Sequence, residues 1–141
     1  MSFINAYIHL VWATKNRAPL LDSADKREIV WRHIRENARK KGIFVDEING
    51  YSNHCHCLIS LEADQKISDI AMLLKGESSH WINQQGLCSE KFGWQGEYYA
   101  AAVANDNVVQ VRDYIRRQEE HHAIRTFEQE CREMKISFGI E

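Results

Sequence analysis

Proline is nearly absent from this chain: Pro19 is the single one in 141 residues. There is also no Gly- or Ser-rich stretch, internal repeat or low-complexity segment. No linker therefore divides the chain, and a single domain over residues 1–141 is expected, long enough for a real core. No apolar run approaches the roughly 18–20 residues that a membrane-spanning helix needs. The opening residues Met1 to Ala6 lack the charged start and small-residue cleavage site of a signal peptide. Cytoplasmic residence away from membranes is the expectation. The four cysteines include no CxxC pair, and Cys55 and Cys57 at i, i+2 share one face of a strand, where a disulfide is geometrically poor. Free buried thiols in a reducing compartment fit better.

An excess of positive charge is missing too. The net charge is −2, which argues against indiscriminate DNA binding. The charge is uneven, however: residues 1–41 sum to +5 and residues 42–141 to −7. A localised basic face is compatible with that division. Apolar content of 44% and charged content of 27% are those of an ordinary globular protein.

What is present follows a clear order. Residues 3–13 alternate as a strand, with Ile4, Ala6, Ile8, Leu10 and Trp12 on one face and Tyr7, His9 and Val11 on the other. Ser23 as N-cap, the stripe Val30, Ile34, Ala38 and the terminal Arg39-Lys40-Lys41-Gly42 predict a helix over 23–41. Residues 43–50 and 53–62 read as a hairpin turning near Gly50-Tyr51-Ser52. A second helix is expected over 67–84, with Ile70, Met72, Leu73, Leu74 and Trp81 as core candidates. An irregular stretch over 85–97 precedes a fourth strand over 98–104. Asn105-Asp106-Asn107 then breaks the chain before a helix over 107–122 and a last helical stretch over 124–135. The order β-α-β-β-α-β is that of the ferredoxin-like, or split βαβ, α+β fold. It places two helices on one face of an antiparallel sheet and leaves the other face for a ligand or for the additional C-terminal helix.

One tripeptide on this frame carries chemistry. In His54-Cys55-His56 the alternation of a strand sends both imidazoles to one side and Cys55 and Cys57 to the other. Two imidazoles on an open face can chelate a divalent ion and leave positions for water or phosphate. Taken alone, such a pair reads more readily as two packed side chains. The helix over 107–122 adds to it. At about 100° per residue, Gln118 lies about 40° from Tyr114 and His121 about 20° away on the other side. Val108, Val111 and Ile115 mark the adjacent buried stripe, so Tyr114 sits at its edge.

With these residues in place, the chain resembles the insertion-sequence-200-like, single-tyrosine HUH transposases, including the REP-associated tyrosine transposases. The likeness runs through Tyr7-Ile8-His9-Leu10-Val11-Trp12-Ala13-Thr14-Lys15-Asn16-Arg17 and Gly50-Tyr51-Ser52-Asn53-His54-Cys55-His56-Cys57-Leu58-Ile59. It continues through Leu74-Lys75-Gly76-Glu77-Ser78-Ser79 and Phe92-Gly93-Trp94-Gln95-Gly96, and ends in Tyr114-Ile115-Arg116-Arg117-Gln118-Glu119-Glu120-His121-His122. The order and spacing of these pieces are specific. The resemblance implies that His54, His56 and Gln118 hold Mg²⁺ or Mn²⁺ and that Tyr114 is the nucleophile. It departs from the family pattern at Cys55, where a larger aliphatic residue is usual, and at Arg117, where Asn is common before the Gln.

The implied reaction is cleavage and strand transfer of single-stranded DNA with hairpin ends. Tyr114 would form a 5′-phosphotyrosine and release a 3′-OH. One phosphodiester replaces another, so no ATP is needed, and no P-loop occurs. The resemblance also implies a homodimer in which the tyrosine helix is exchanged between subunits. Residues 104–107 could serve as the hinge. His9 and His121 are candidates for contacts around the metal ligands, and Lys15, Arg17 and Lys75 for DNA phosphate. For Lys15 and Arg17 phosphate contact is favoured over plain solvated charge, whereas packing or solvation explains His9 and Lys75 as readily. His122, on the Ile115 side, reads as packed, and Trp31 and Trp94 as core residues. The rival reading is a ferredoxin-like nucleic-acid-binding module without strand transfer.

Overall fold

The computed structural model describes residues 3–123 and 125–137. Its strands are β1 (Tyr7–Ala13), β2 (Phe44–Tyr51), β3 (His54–Ser60) and β4 (Tyr99–Val103). Its helices are α1 (Ala24–Lys40), α2 (Ile67–Gln85), α3 (Val108–Arg116), α4 (Gln118–His122) and α5 (Phe127–Ser137). The sheet order is β2-β3-β1-β4 with every neighbour antiparallel, the ferredoxin-like arrangement expected from the element order. Residue 124, where the last helical stretch was expected to begin, lies outside the described residues.

Local signals set the helix ends. The Ser23 side chain accepts from the Lys26 amide, capping α1. Gly86, at φ 61°, closes α2 by donating its amide to the Asn83 and Ile82 carbonyls. Gly50 answers a different need. A Cβ at that position would stand 2.1 Å from the His54 carbonyl oxygen, so only glycine lets β2 approach β3 there.

Register sorts the residues into two faces. Ile8, Leu10 and Trp12 pair with Ile59, Cys57 and Cys55, and all join the core beneath α1 and α2. Val30, Ile34 and Ala38 of α1 and Ile70, Leu74 and Ile82 of α2 complete that core. Met72 and Leu73 do not: they are exposed, at 72% and 43%. The run Met72-Leu73-Leu74 spans about 200° of helix surface, and only Leu74 faces the sheet.

The opposite face is covered by the C-terminal half of the same chain. The segment expected as one helix over 107–122 is two, because Arg117 leaves helical geometry at φ −99°, ψ 26°. Its first turn, Asn105–Asn107, is a 3₁₀ turn. α3 is clipped to the edge strand β2. Arg112 donates to both carboxylate oxygens of Asp46 at 2.7 and 2.8 Å, and Arg116 donates to Glu47 at 2.6 and 2.9 Å. Asp46 sits where the β2–β3 register slips between Val45 and Glu47. α4 is tied to α1 by Arg27 donating to Glu119 at 3.0 Å.

Candidate active site

The site lies between β3 and the α3–α5 layer. His54 and His56 project from the face opposite Cys55 and Cys57, beside Ala13 and Val11 of β1 and Tyr51 and Asn49 of β2. Both imidazoles are fully buried. Tyr114 lies in the last turn of α3 and Gln118 begins α4. Despite the break at Arg117, the Gln118 carboxamide still donates to the Tyr114 carbonyl at 3.4 Å, so the i, i+4 proximity survives. The fold therefore brings together His54, His56, Tyr114 and Gln118 from one chain. His54 Nε2 is 3.2 Å from Gln118 Oε1, and the His56 and Tyr114 rings are 5.7 Å apart in an edge arrangement.

Two further residues enter the cluster. His122 does not pack into the Ile115 stripe as its spacing suggested. His122 follows Gln118 by one turn of α4, and its Nε2 reaches Gln118 Oε1 at 3.2 Å. The other residue is Glu130 of α5, fully buried at the centre. One of its carboxylate oxygens lies 3.0 Å from His56 Nε2, 3.2 Å from His54 Nε2 and 3.3 Å from His122 Nε2. The other accepts from Gln118 Nε2 at 3.1 Å and from the Tyr114 hydroxyl. Phe127, one turn earlier, lies flat on the His54 ring with centroids 4.0 Å apart. Sequence reading missed Glu130, although a signal existed. In the helix carrying Phe127, Glu130 and Cys131, an acid stands within the apolar i, i+3, i+4 face.

The donor chemistry fits a cation. His122 Nδ1 faces the Arg125 carbonyl at 3.1 Å, and His54 Nδ1 faces Asn53 Oδ1 at 2.8 Å. Each must donate there, which leaves the Nε2 lone pair for the cluster. Burial lowers the His54 pKa to about 4, outweighing the carboxylate of Glu130, so that lone pair carries no proton near neutrality. Imidazole lone pairs and amide and carboxylate oxygens thus aim at one place, an arrangement a divalent cation reconciles. Donors about 2.1 Å from a common octahedral ion stand about 3.0 Å apart when adjacent; the Glu130 oxygen stands 3.0–3.3 Å from the Nε2 atoms of His56, His54 and His122, and Gln118 Oε1 3.2 Å from His54 Nε2. His54, His122 and Glu130 by themselves offer three ligand atoms within 4.8 Å of one another.

The electrostatics of Tyr114 follow from the same carboxylate. Burial first, then the charge of Glu130 and its hydrogen bond, hold the Tyr114 pKa well above the usual phenol value. Although burial opposes it, the surrounding imidazoles of His122, His54 and His56 hold the Glu130 carboxyl well below the ordinary glutamate range. His9 Nε2 meets His56 Nδ1 at 2.9 Å, which orients the His56 ring. Burial and the neighbouring His56 lower the His9 pKa to about 3, and its Nδ1 has no hydrogen-bond partner among the described residues. The His121 ring lies 4.8 Å from that of Tyr114.

The basic candidates stand at the margin. Lys15 and Arg17, with Asn16, Trp94, Gln95 and Gly96, line an open cleft of about 610 Å³. Asn16 and Arg17 both have left-handed backbones, φ 59° and 53°, a conformation costly for residues other than glycine. The Arg17 guanidinium lies 5.3 Å over the Phe127 ring. Lys75 donates to the Gly96 carbonyl at 2.9 Å and so braces the loop before β4. Trp31 and Trp94 pack on the apolar core, as expected.

Comparison with known proteins follows the same outline. The family described as "Transposase IS200 like" matches residues 2–118. The ISDra2 transposase TnpA of Deinococcus radiodurans is 28% identical over 117 residues, covering 78% of this chain and 81% of that protein. A crystal structure at 1.90 Å described as a transposase from Deinococcus radiodurans superposes with a TM-score of 0.65 at 21% identity, over 84% of this chain and 95% of that one. A REP-associated tyrosine transposase bound to a REP hairpin superposes with a TM-score of 0.64 at 18% identity, over 86% of this chain and 71% of that one.

Proposed function

The chain belongs to the IS200-like transposase family, and on that premise we propose that it cleaves and rejoins single-stranded DNA through Tyr114. The observation that carries this reading is the convergence of Tyr114 with His54, His56 and Gln118 from distant parts of the chain: its ring lies 5.7 Å from that of His56, and its hydroxyl donates to the Glu130 carboxylate that also meets His54, His56 and Gln118. Tyr114 attacks the scissile phosphorus. The bond from phosphorus to the 3′ oxygen breaks, a 5′-phosphotyrosine forms, and the 3′ oxygen leaves as a hydroxyl after taking up a proton. A free phenol titrates near 10, so only about one in a thousand is ionised at pH 7, a handicap of about 4 kcal/mol. His54, His56 and Gln118 hold Mg²⁺ or Mn²⁺, which when bound supplies positive charge toward the phosphate. His9 fixes the orientation of His56, and His121 flanks the phenol.

The substrate we infer is DNA with hairpin ends, on the analogy of the hairpin-bound relative. Lys15 and Arg17, held in a strained turn beside the cleft, are placed to contact phosphate. Lys75 supports the same cleft through the Gly96 carbonyl. A cytoplasmic homodimer is part of this reading, with the exchange of α3 made possible by the Asn105–Asn107 turn. The test is incubation with single-stranded hairpin oligonucleotides and Mn²⁺, read as a protein–DNA band that survives denaturation. The band is expected with metal and lost with a chelator. If no hairpin end gives it, the enzymatic reading fails.

A second reading, a nucleic-acid-binding module without strand transfer, is favoured by one observation. The phenol is half-buried and its hydroxyl is capped by Glu130. Hairpin binding without any covalent band under every metal would support it.

A further inference from the structure

Glu130 lies outside the ligand set proposed above, yet its carboxylate touches every member of it. It is twelve residues beyond Gln118, on a helix past the last residue matched to the family. Its position is built. Thr126 and Gln129 cap α5 reciprocally, each amide donating to the other's side chain at 2.9 and 3.1 Å. Phe127 is buried against Val11 and Ala13 and stacks on His54. The first turns of α5 thus deliver one carboxylate into a dry site.

We propose that Glu130 is a further metal donor of this site, one that ties α5 across it. The proposal rests on the metal reading of the proposed function. Its own support is geometric. The Glu130 oxygen is 3.0 and 3.2 Å from the Nε2 atoms of His56 and His54, the spacing of neighbouring donors around one small divalent ion. Carboxylate is also the donor that Mg²⁺ and Mn²⁺ favour, and His54, His56 and Gln118 supply none. The second oxygen of the same carboxylate accepts from the Tyr114 hydroxyl. Glu130 thus bridges nucleophile and ligand set, where the scissile phosphate must come. DNA approaching Tyr114 thus competes with Glu130 for the same space, and its binding is expected to displace the carboxylate.

The test measures Mn²⁺ binding to the full-length protein without DNA, by titration calorimetry or by the spin-resonance signal of free Mn²⁺. The wild type should bind one ion, and His54→Ala with His56→Ala should abolish binding. Glu130→Gln, nearly isosteric, should weaken it at least tenfold, and Glu130→Asp should weaken it less. Equal or tighter binding by Glu130→Gln overturns the proposal and leaves the metal reading standing. No binding by the wild type removes that reading itself. A second measurement needs no variant. Mn²⁺ should slow hydrogen exchange at the amides of residues 127–133, and hairpin DNA should reverse the slowing. Exchange there that is indifferent to Mn²⁺ would also overturn the proposal.

Discussion

The two faces of the sheet come from the same strands and are equally dry, but their chemistry is opposite. Under α1 and α2, Trp12, Leu10, Ile59 and Cys57 are buried among hydrocarbon. Under α3 to α5, His9, His54, His56, Gln118 and Glu130 are buried among one another. The first face needs only matched shapes. The second loses hydration of five polar side chains and recovers most of it through a shared network, leaving His9 Nδ1 without a partner among the described residues, which is worthwhile only if the groups do something. The fold therefore divides its labour by strand parity: even residues of β1 and odd residues of β3 build the main apolar core, and the alternate set holds the polar cluster of His9, His54 and His56 beside apolar Val11, Ala13 and Leu58.

That division can be broken in order of expected size. Tyr114→Phe should lower covalent adduct formation more than ~10³-fold and reduce stability by only about 1–2 kcal/mol, the loss of one buried hydrogen bond. Adduct gels and thermal unfolding measure the two sides. Trp12→Ala does the reverse. Its side chain is 1% exposed in the apolar core, so its loss should destabilise the fold by about 3–5 kcal/mol, read from denaturant midpoints.

Acid should strike the polar face first. His9 and His54 have folded pKa values of about 3 and about 4, below the ordinary 6.5. Their contribution is whole above pH 6.5 and is lost as pH falls toward those values, because the unfolded chain takes up protons the folded one refuses. In metal-free protein each should lower stability by up to about 1.4 kcal/mol per pH unit in that window. Unfolding followed between pH 7 and pH 4 checks this, and a flat profile would contradict the neutral, buried histidines. The smallest effect belongs to the clip on β2: Arg116→Ala removes an exposed pair with Glu47 and should cost about 1 kcal/mol or less.

Much of this division was legible in the alternation of residues along β1 and β3, because a strand's period of two leaves no choice once one face is apolar. The ligand pair and its opposition to the cysteines followed from it. What escaped depended on contacts far apart in the chain. Nothing in local spacing joins His56 to Glu130, 74 residues away, or announces the break at Arg117. Met72 and Leu73 misled for the converse reason, since composition alone does not say which side of an amphipathic helix meets the sheet.

The central claim is that Tyr114 is the atom-bearing nucleophile of a DNA transesterification. Its most direct test is to trap the protein with a single-stranded hairpin oligonucleotide and Mn²⁺, digest the product, and sequence the nucleotide-bearing peptide by mass spectrometry. A 5′-phosphonucleotide on Tyr114, absent when a chelator is present, is the predicted result. An adduct mapped to Tyr7, Tyr51, Tyr98 or Tyr99, or to any residue other than Tyr114, would contradict it.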